Sequence, residues 1–370
     1  MKSKKSFSRR AFLAGTAATS ALALSPKSLK SDESIFSSRT RYRPSLGIVK
    51  LNGNENPYGC SPLVMEAILK VPMHIYPDPG QRKMRAALSK YTGLNPDNLV
   101  VGAGADELID LLFRLFVSPE DTILDFEPTF GMYSFCANVA GNEIVFVQRD
   151  NEFEIDVNRV IAAIDNSTKI IFVTSPNNPT GNLVKRGQLL ELLSTGLVIV
   201  VDEAYYEFSG ETSQNLVQDN ENLIILRTFS KWAGLAGLRV GYGIMNTKVA
   251  GHLMDIKPPY NVNIAAEAAM IASLQDSEYL LGNVAKIVAE RTRLFDLLSE
   301  ITGIKVWPSY GNFILCEFGQ NRARIAYEYL ATEGIFVRKY ESNRLKDCIR
   351  VAVGTPSQTD AFIGAIRKCT

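Results

Sequence analysis

The chain has 370 residues, 46% of them apolar, with a formal net charge of +1, five cysteines and two histidines. That length fits two domains, or one large domain with an appendage, and leaves room for a sizeable core. His74 and His252 lie far apart, which argues against a histidine-rich metal site, and no metal is expected. The cysteines are odd in number and lack C-x-x-C spacing, so reduced thiols are expected rather than a disulfide framework.

The net charge hides an asymmetry. Residues 1–45 carry ten Lys/Arg and two Asp/Glu, about +8, and the remainder carries 30 against 37, or −7. The mildly acidic body offers no electrostatic footprint for nucleic acid. The leader reads MKSKKSFSRRAFLAGTAATSALAL. It has paired Arg9 and Arg10, then Phe12-Leu13, a mild apolar stretch from Ala14 to Leu24, and small residues at Ala21-Leu22-Ala23. This resembles a twin-arginine export signal. A Ser- and Arg-rich organelle transit peptide and a basic cytoplasmic tail are the alternatives. The apolar stretch is far short of the ~20 residues a membrane span needs. In each reading residues 1–45 stand outside the fold.

Along the body, short apolar runs alternate with segments of helical period. Strands are expected at 98–104, 121–126, 143–148, 169–175, 197–204, 222–228 and 239–245, with helices between them, such as 106–116 and 156–164. Continuous β-branched runs are how strands buried on both faces look, so the pattern predicts a mainly parallel α/β sheet flanked by helices. After about residue 265 the texture changes. A long helical stretch over 264–298 precedes WPSYGNFILCEF, a helix near 323–333, GIFVRKY, CIRVAVG and a final helix. We therefore expect an N-terminal arm at 46–75, a large domain at 76–262 and a smaller α+β C-terminal domain at 263–370.

Two motifs mislead. GAGADE (102–107) begins like a dinucleotide fingerprint but has Glu107 where the last glycine belongs. LVIVVDEA resembles the acidic strand of a P-loop ATPase, yet the chain contains no Gly-Lys pair. GAGADE does offer a strand-to-helix turn of small residues, where free helix N–H groups can hold a phosphate. Other strand ends add Asn178 in SPNNPTG, Asp202 and Tyr205 in VVDEAYYEF, and Lys231 in TFSK. In an open parallel sheet the carboxyl ends share one edge, where ligands bind. Turn, amide, carboxylate, phenol and lysine together match the needs of pyridoxal phosphate. The lysine forms a Schiff base, the carboxylate keeps the pyridine nitrogen protonated, amide and phenol bond the ring oxygen, and the helix N-terminus holds the phosphate.

At these residues the chain resembles a fold-type I aminotransferase, and is closely similar to the histidinol-phosphate aminotransferase family over about residues 48–368. NENPYG (54–59), YPDP (76–79), GADE (104–107), TFGMY (129–133), SPNNPTG, VDEAY, TFSK…GLR, YGNFIL and IRVAVG occur in family order. The resemblance implies that Lys231 is the Schiff-base lysine and general base, with Asp202 on the pyridine nitrogen. It puts Asn178 and Tyr205 on the ring oxygen and Tyr133 on the ring face. Ala105, Asp106, Thr228, Ser230 and Arg239 would surround the phosphate, and Tyr76 would reach it from the partner subunit of a homodimer. Arg350 would clamp a carboxylate or phosphate, Arg338 would be a second anion-binding arginine, and Asn56 and Asn312 would line the substrate pocket. The implied reaction exchanges amino groups between histidinol phosphate and 2-oxoglutarate. Aminotransferases of aromatic or other amino acids, a threonine-phosphate-type decarboxylase and a catalytically idle ligand-binding scaffold are the alternatives. Two departures stand out: Trp232 follows the lysine, and the segment before NENP is short.

Overall fold

The computed structural model describes residues 47–319 and 322–369. The leader expected over 1–45 lies outside the described residues. Seven strands form the main sheet: β1 (Leu99–Gly102), β2 (Thr122–Glu127), β3 (Glu143–Gln148), β4 (Thr168–Thr174), β5 (Val198–Asp202), β6 (Leu223–Thr228) and β7 (Gly241–Met245). Their order is β1-β7-β6-β5-β4-β2-β3. All pairings are parallel except those of β7, which runs against both β1 and β6.

Helices cover both faces. They include α1 (Pro62–Leu69), α2 (Arg82–Thr92), α3 (Ala105–Phe116), α4 (Met132–Ala140), α5 (Val157–Ala163), α6 (Arg186–Leu193) and α7 (Thr247–Ile256). Ile171, Val173, Val201 and Ile225 join one apolar cluster with Leu88 of α2 and Leu192 of α6. Their sequence neighbours Ile170, Phe172, Val200 and Ile224 join another with Leu112 of α3, Ala137 of α4 and Leu253 of α7. Period-2 alternation thus feeds two dry layers, and that is why the strands read as unbroken apolar runs.

The helical stretch expected over 264–298 is two helices, α8 (Ile264–Gln275) and α9 (Ser277–Ser299). Asp276 breaks it with φ −110°, leaving the helical region, and its carboxylate accepts a hydrogen bond from the Ser61 hydroxyl. Asp and Ser compete with the backbone for hydrogen bonds, which suits them to helix ends. Helix α8 packs on α1 and α2.

Beyond α9 lies an antiparallel sheet of β8 (Ile304–Trp307), β9 (Phe313–Phe318), β10 (Arg338–Lys339) and β11 (Cys348–Ala352), in the order β10-β11-β9-β8. Helices α10 (Arg322–Thr332) and α11 (Pro356–Cys369) accompany it. Val49–Lys50 pairs in parallel with Ile335–Phe336, and Leu51 O accepts from Ala352 N at 2.8 Å. The segment before NENPYG is thereby stitched to the C-terminal sheet, and it crosses the edge where β4, β5 and β6 end.

One ion pair ties β5 to β6 below that edge. Arg227 Nη2 donates to Glu203 Oε2 at 2.9 Å and to Thr212 Oγ1 at 2.6 Å, and its guanidinium lies 3.8 Å from the Tyr206 ring centroid. Both side chains of the pair are 2% exposed. Removing one partner strands a buried charge, whereas replacing both with apolar groups does not. Arg227→Ala is therefore expected to cost about 3–5 kcal/mol in urea unfolding, and the double change Arg227→Met with Glu203→Leu much less.

Candidate active site

The chain delivers its chemistry where the parallel strands end. Asp202 is the last residue of β5, Thr228 the last of β6, and Asn178 lies just past β4. Asp202 is 4% exposed; Oδ2 accepts from Tyr133 Oη at 2.7 Å and Oδ1 from Ala204 N at 3.0 Å. Burial raises its pKa to about 6; the Tyr133 and Ala204 hydrogen bonds oppose the rise, and Asp106 and Glu203 add to it. The groups that act on this carboxylate are thus neutral donors and other acids, a setting that suits a protonated ring nitrogen as the missing cation.

Lys231 Nζ donates to Gly53 O at 3.1 Å and lies 5.9 Å from the Tyr205 ring centroid. Burial lowers its pKa to about 8, and Arg350 pushes the same way. Arg239 contributes less than Arg350, so the cation that matters more to the lysine sits on the C-terminal sheet. Arg350 is 7% exposed; Nη1 donates to Asn178 Oδ1 and Nη2 to Asn52 O, each at 2.7 Å. Its buried Nε finds no acceptor among the described residues. Arg338 stands directly opposite Arg350 in the β10–β11 ladder.

The turn between β1 and α3 forms the other wall. Gly104 has φ +86°, and a Cβ there would sit 2.4 Å from Arg239 Nη2. Arg239 Nη2 donates to Asp106 Oδ2 at 2.5 Å, and Nη1 to Ser230 Oγ at 3.3 Å. Thr228 Oγ1 donates to Ser230 Oγ at 2.9 Å. Ala105 opens α3, so free helix N–H groups, two hydroxyls and a guanidinium face one spot, which suits a phosphate.

One expectation needs correction, and other site residues take the following places. Tyr133 does not offer its ring to a ligand. It is 0% exposed, stacked on Phe172 at 4.5 Å and edge-on to Phe130, and its phenol serves Asp202. Asn56 Nδ2 donates to Trp232 O at 2.7 Å and Oδ1 accepts from Tyr58 N, so it braces the residue after Lys231. Asn312 is 0% exposed and donates to Asn54 O at 2.9 Å. Arg239 is exposed and paired with Asp106. Tyr76 is 75% exposed, stacked on Tyr260 at 4.3 Å.

Sequence reasoning missed Asn54, 1% exposed with φ +52°, which donates to Tyr205 Oη at 2.9 Å. It stands in the quoted motif NENPYG, and Asn is among the residues most tolerant of positive φ, but nothing local announces a contact with Tyr205.

The lysine carries a pH signature. The neutral amine grows as pH rises through the depressed pKa, so about half of Lys231 is neutral at pH 8, against under ~1% for an ordinary lysine. In the cofactor-free protein, trinitrobenzenesulfonate labelling of the Lys231 peptide should rise with pH through a midpoint near 8, while exposed lysines keep rising toward 10.5. A Lys231 profile that tracks the exposed lysines contradicts the depressed pKa.

Comparison with known proteins agrees with this geometry. The family model for aminotransferase class I and II matches residues 47–366. A histidinol-phosphate aminotransferase of Roseiflexus castenholzii is 46% identical over 331 residues, covering 87% of this chain and 89% of that protein. A chloroplastic histidinol-phosphate aminotransferase of Nicotiana tabacum is 46% identical over 338 residues, covering 90% and 81%. Among solved structures, the histidinol-phosphate aminotransferase of Sinorhizobium meliloti in complex with pyridoxal-5'-phosphate superposes with a TM-score of 0.82 at 25% identity, covering 90% of this chain and 98% of that one. With the family model spanning almost all of the described residues, the chain belongs to the class I and II aminotransferases.

Proposed function

We propose that this chain is a pyridoxal-phosphate aminotransferase that moves an amino group between histidinol phosphate and 2-oxoglutarate, in histidine biosynthesis. The donor set fits the cofactor: a desolvated lysine amine, a buried carboxylate among neutral donors, and an anion cradle at the start of α3. When bound, pyridoxal phosphate supplies an electron sink for charge developing at the substrate Cα. Lys231 anchors the cofactor and, when freed, moves the proton at that carbon. Asp202 keeps a proton on the ring nitrogen, with Tyr133 and Ala204 N–H holding the carboxylate in place. Asn178 and Tyr205 take the ring oxygen, and Ala105, Asp106, Thr228, Ser230 and Arg239 the phosphate. Phe130, half-buried and edge-on to Tyr133, is the neighbouring ring that would be left to face the cofactor.

The observation that carries the substrate is the opposition of Arg338 and Arg350 across one antiparallel rung. Two guanidiniums carried on one rung can engage a single group with up to two negative charges. An α-carboxylate occupies one guanidinium fork; a phosphate ester engages two. Arg338→Ala should raise the apparent KM for histidinol phosphate about tenfold to a hundredfold, the cost of one charge-assisted hydrogen bond, and that for glutamate far less. Equal losses make Arg338 structural. A wild-type kcat/KM higher for phenylalanine or tyrosine than for histidinol phosphate moves the protein to the aromatic aminotransferases.

The active unit is a homodimer in this reading. Tyr76 stands exposed next to Met73, Ile75 and Leu69, each more than half exposed, an apolar margin that suits a second copy. Mixing Tyr76→Phe with Lys231→Ala should restore activity by completing one site per heterodimer; no rescue after verified subunit exchange removes the shared site. We divide the chain as the sequence suggests, arm, large domain and small domain, although α8 packs on α1 and α2 and draws the last boundary toward Asp276. The leader keeps its reading as a targeting segment. The twin-arginine pair favours export, and the chloroplastic relatives keep a transit peptide as the alternative.

A further inference from the structure

The segment from Asn52 to Asn54 touches three proposed site residues in succession. Asn52 O accepts from Arg350, Gly53 O from Lys231, and Asn54 Nδ2 donates to Tyr205 Oη at 2.9 Å. Asn54 reaches Tyr205 from a left-handed backbone, φ +52°, that few side chains tolerate. Asn312 Nδ2 holds that backbone through Asn54 O at 2.9 Å. Asn54 is 1% exposed and Asn312 0%, so neither bond competes with water. The charged and titratable groups facing Tyr205 are Lys231, Arg350, Asp202 and Tyr340.

A phenol has one proton to give and lone pairs to accept with. An amide NH₂ only donates, so a phenol oxygen that accepts from Asn54 keeps its own proton for another partner. We propose that Asn54, braced by Asn312, is a positioning residue that fixes both the orientation and the hydrogen-bond polarity of Tyr205, so that its O–H is directed to the cofactor ring oxygen. The inference rests on the assignment of Tyr205 to that oxygen. With the cofactor bound, donation from Tyr205 would stabilise negative charge on the ring oxygen and so lower the pH at which the group formed with Lys231 gives up its proton. A donor behind the phenol strengthens this donation. Asn54 thus lowers the pH at which the cofactor–lysine chromophore titrates.

The test is an absorbance pH titration of the purified holoenzyme, read without substrate. Asn54→Gly keeps the left-handed backbone and deletes the amide; its midpoint should rise by roughly 0.3–1 pH unit, the scale of one neutral hydrogen bond. Asn54→Asp keeps shape and backbone but presents an acceptor that takes the phenol proton for itself, so its midpoint should rise further. In a Tyr205→Phe background the uncharged change Asn54→Gly should not move the midpoint. Unshifted titrations in Asn54→Gly and Asn54→Asp, with Tyr205→Phe shifted, overturn the role of Asn54 alone. A shift that persists without the Tyr205 hydroxyl assigns Asn54 to the backbone rather than to Tyr205. An unshifted Tyr205→Phe overturns the Tyr205 assignment itself. Melting of the cofactor-free proteins separates these outcomes from misfolding, and if Asn54→Gly does not fold, the Asn54→Asp comparison decides.

Discussion

Removing one lysine amine from water is the constraint around which the rest of the site is arranged. An ammonium in a dry setting without a partner is costly, and the fold meets that cost in two ways. Gly53 O accepts from the amine, and a second cation, Arg350, biases it toward the neutral form. Both require the segment preceding NENPYG to lie over the carboxyl edge of the sheet. Its ladder with Ile335–Phe336 and its bond to Ala352 keep it there. The C-terminal sheet thus contributes to the electrostatics of a lysine carried by the main one.

The residues beneath the site serve the same end. Tyr133 is spent on Asp202 rather than exposed to a ligand, and Asn56 on the carbonyl of Trp232. Trp232 fills the space beside Tyr91 and Phe229, stacked at 5.6 Å and tilted at 5.5 Å, so the residue after the lysine is immobilised by both packing and a hydrogen bond. Such supporting contacts hold a site to the sub-ångström placement that catalysis needs.

Much of this was legible in the chain. The apolar runs marked the inner strands because those are dry on both sides, and the candidate site residues stood at strand ends because the sheet edge is shared. Strand limits were drawn too long where small or polar residues continue an apolar run: the segment at 239–245 begins as a strand only at Gly241, with Arg239 at φ +54° outside it. The break at Asp276 was hidden because helical periodicity continues through a single non-helical residue. Contacts spanning long sequence distances left no local mark. Tyr133 with Asp202, Asn54 with Tyr205 and Asn312 with Asn54 each join residues from separate segments, and residue type alone made Tyr133 look like a stacking ring and Asn312 like a pocket wall.

The reversed strand β7 has a consequence for how the chain tolerates change in length. Because β6 runs toward the carboxyl edge and β7 away from it, residues 229–240 leave and re-enter the sheet on the same side. Phe229 N donates to Val240 O at 3.1 Å, closing the loop at its base. Lys231 stands near one end of the closed loop and Arg239 near the other, so a single uninterrupted excursion sets the spacing between the two side chains. A crossover to another parallel strand would have carried the chain to the far edge and left that spacing to a helix. Here an insertion or deletion of even one residue between Trp232 and Leu238 alters the reach between the two ends, whereas one in the exposed turn at 118–120, between α3 and β2, is absorbed at the surface. The loop therefore acts as a ruler, and variation within it is confined to substitution.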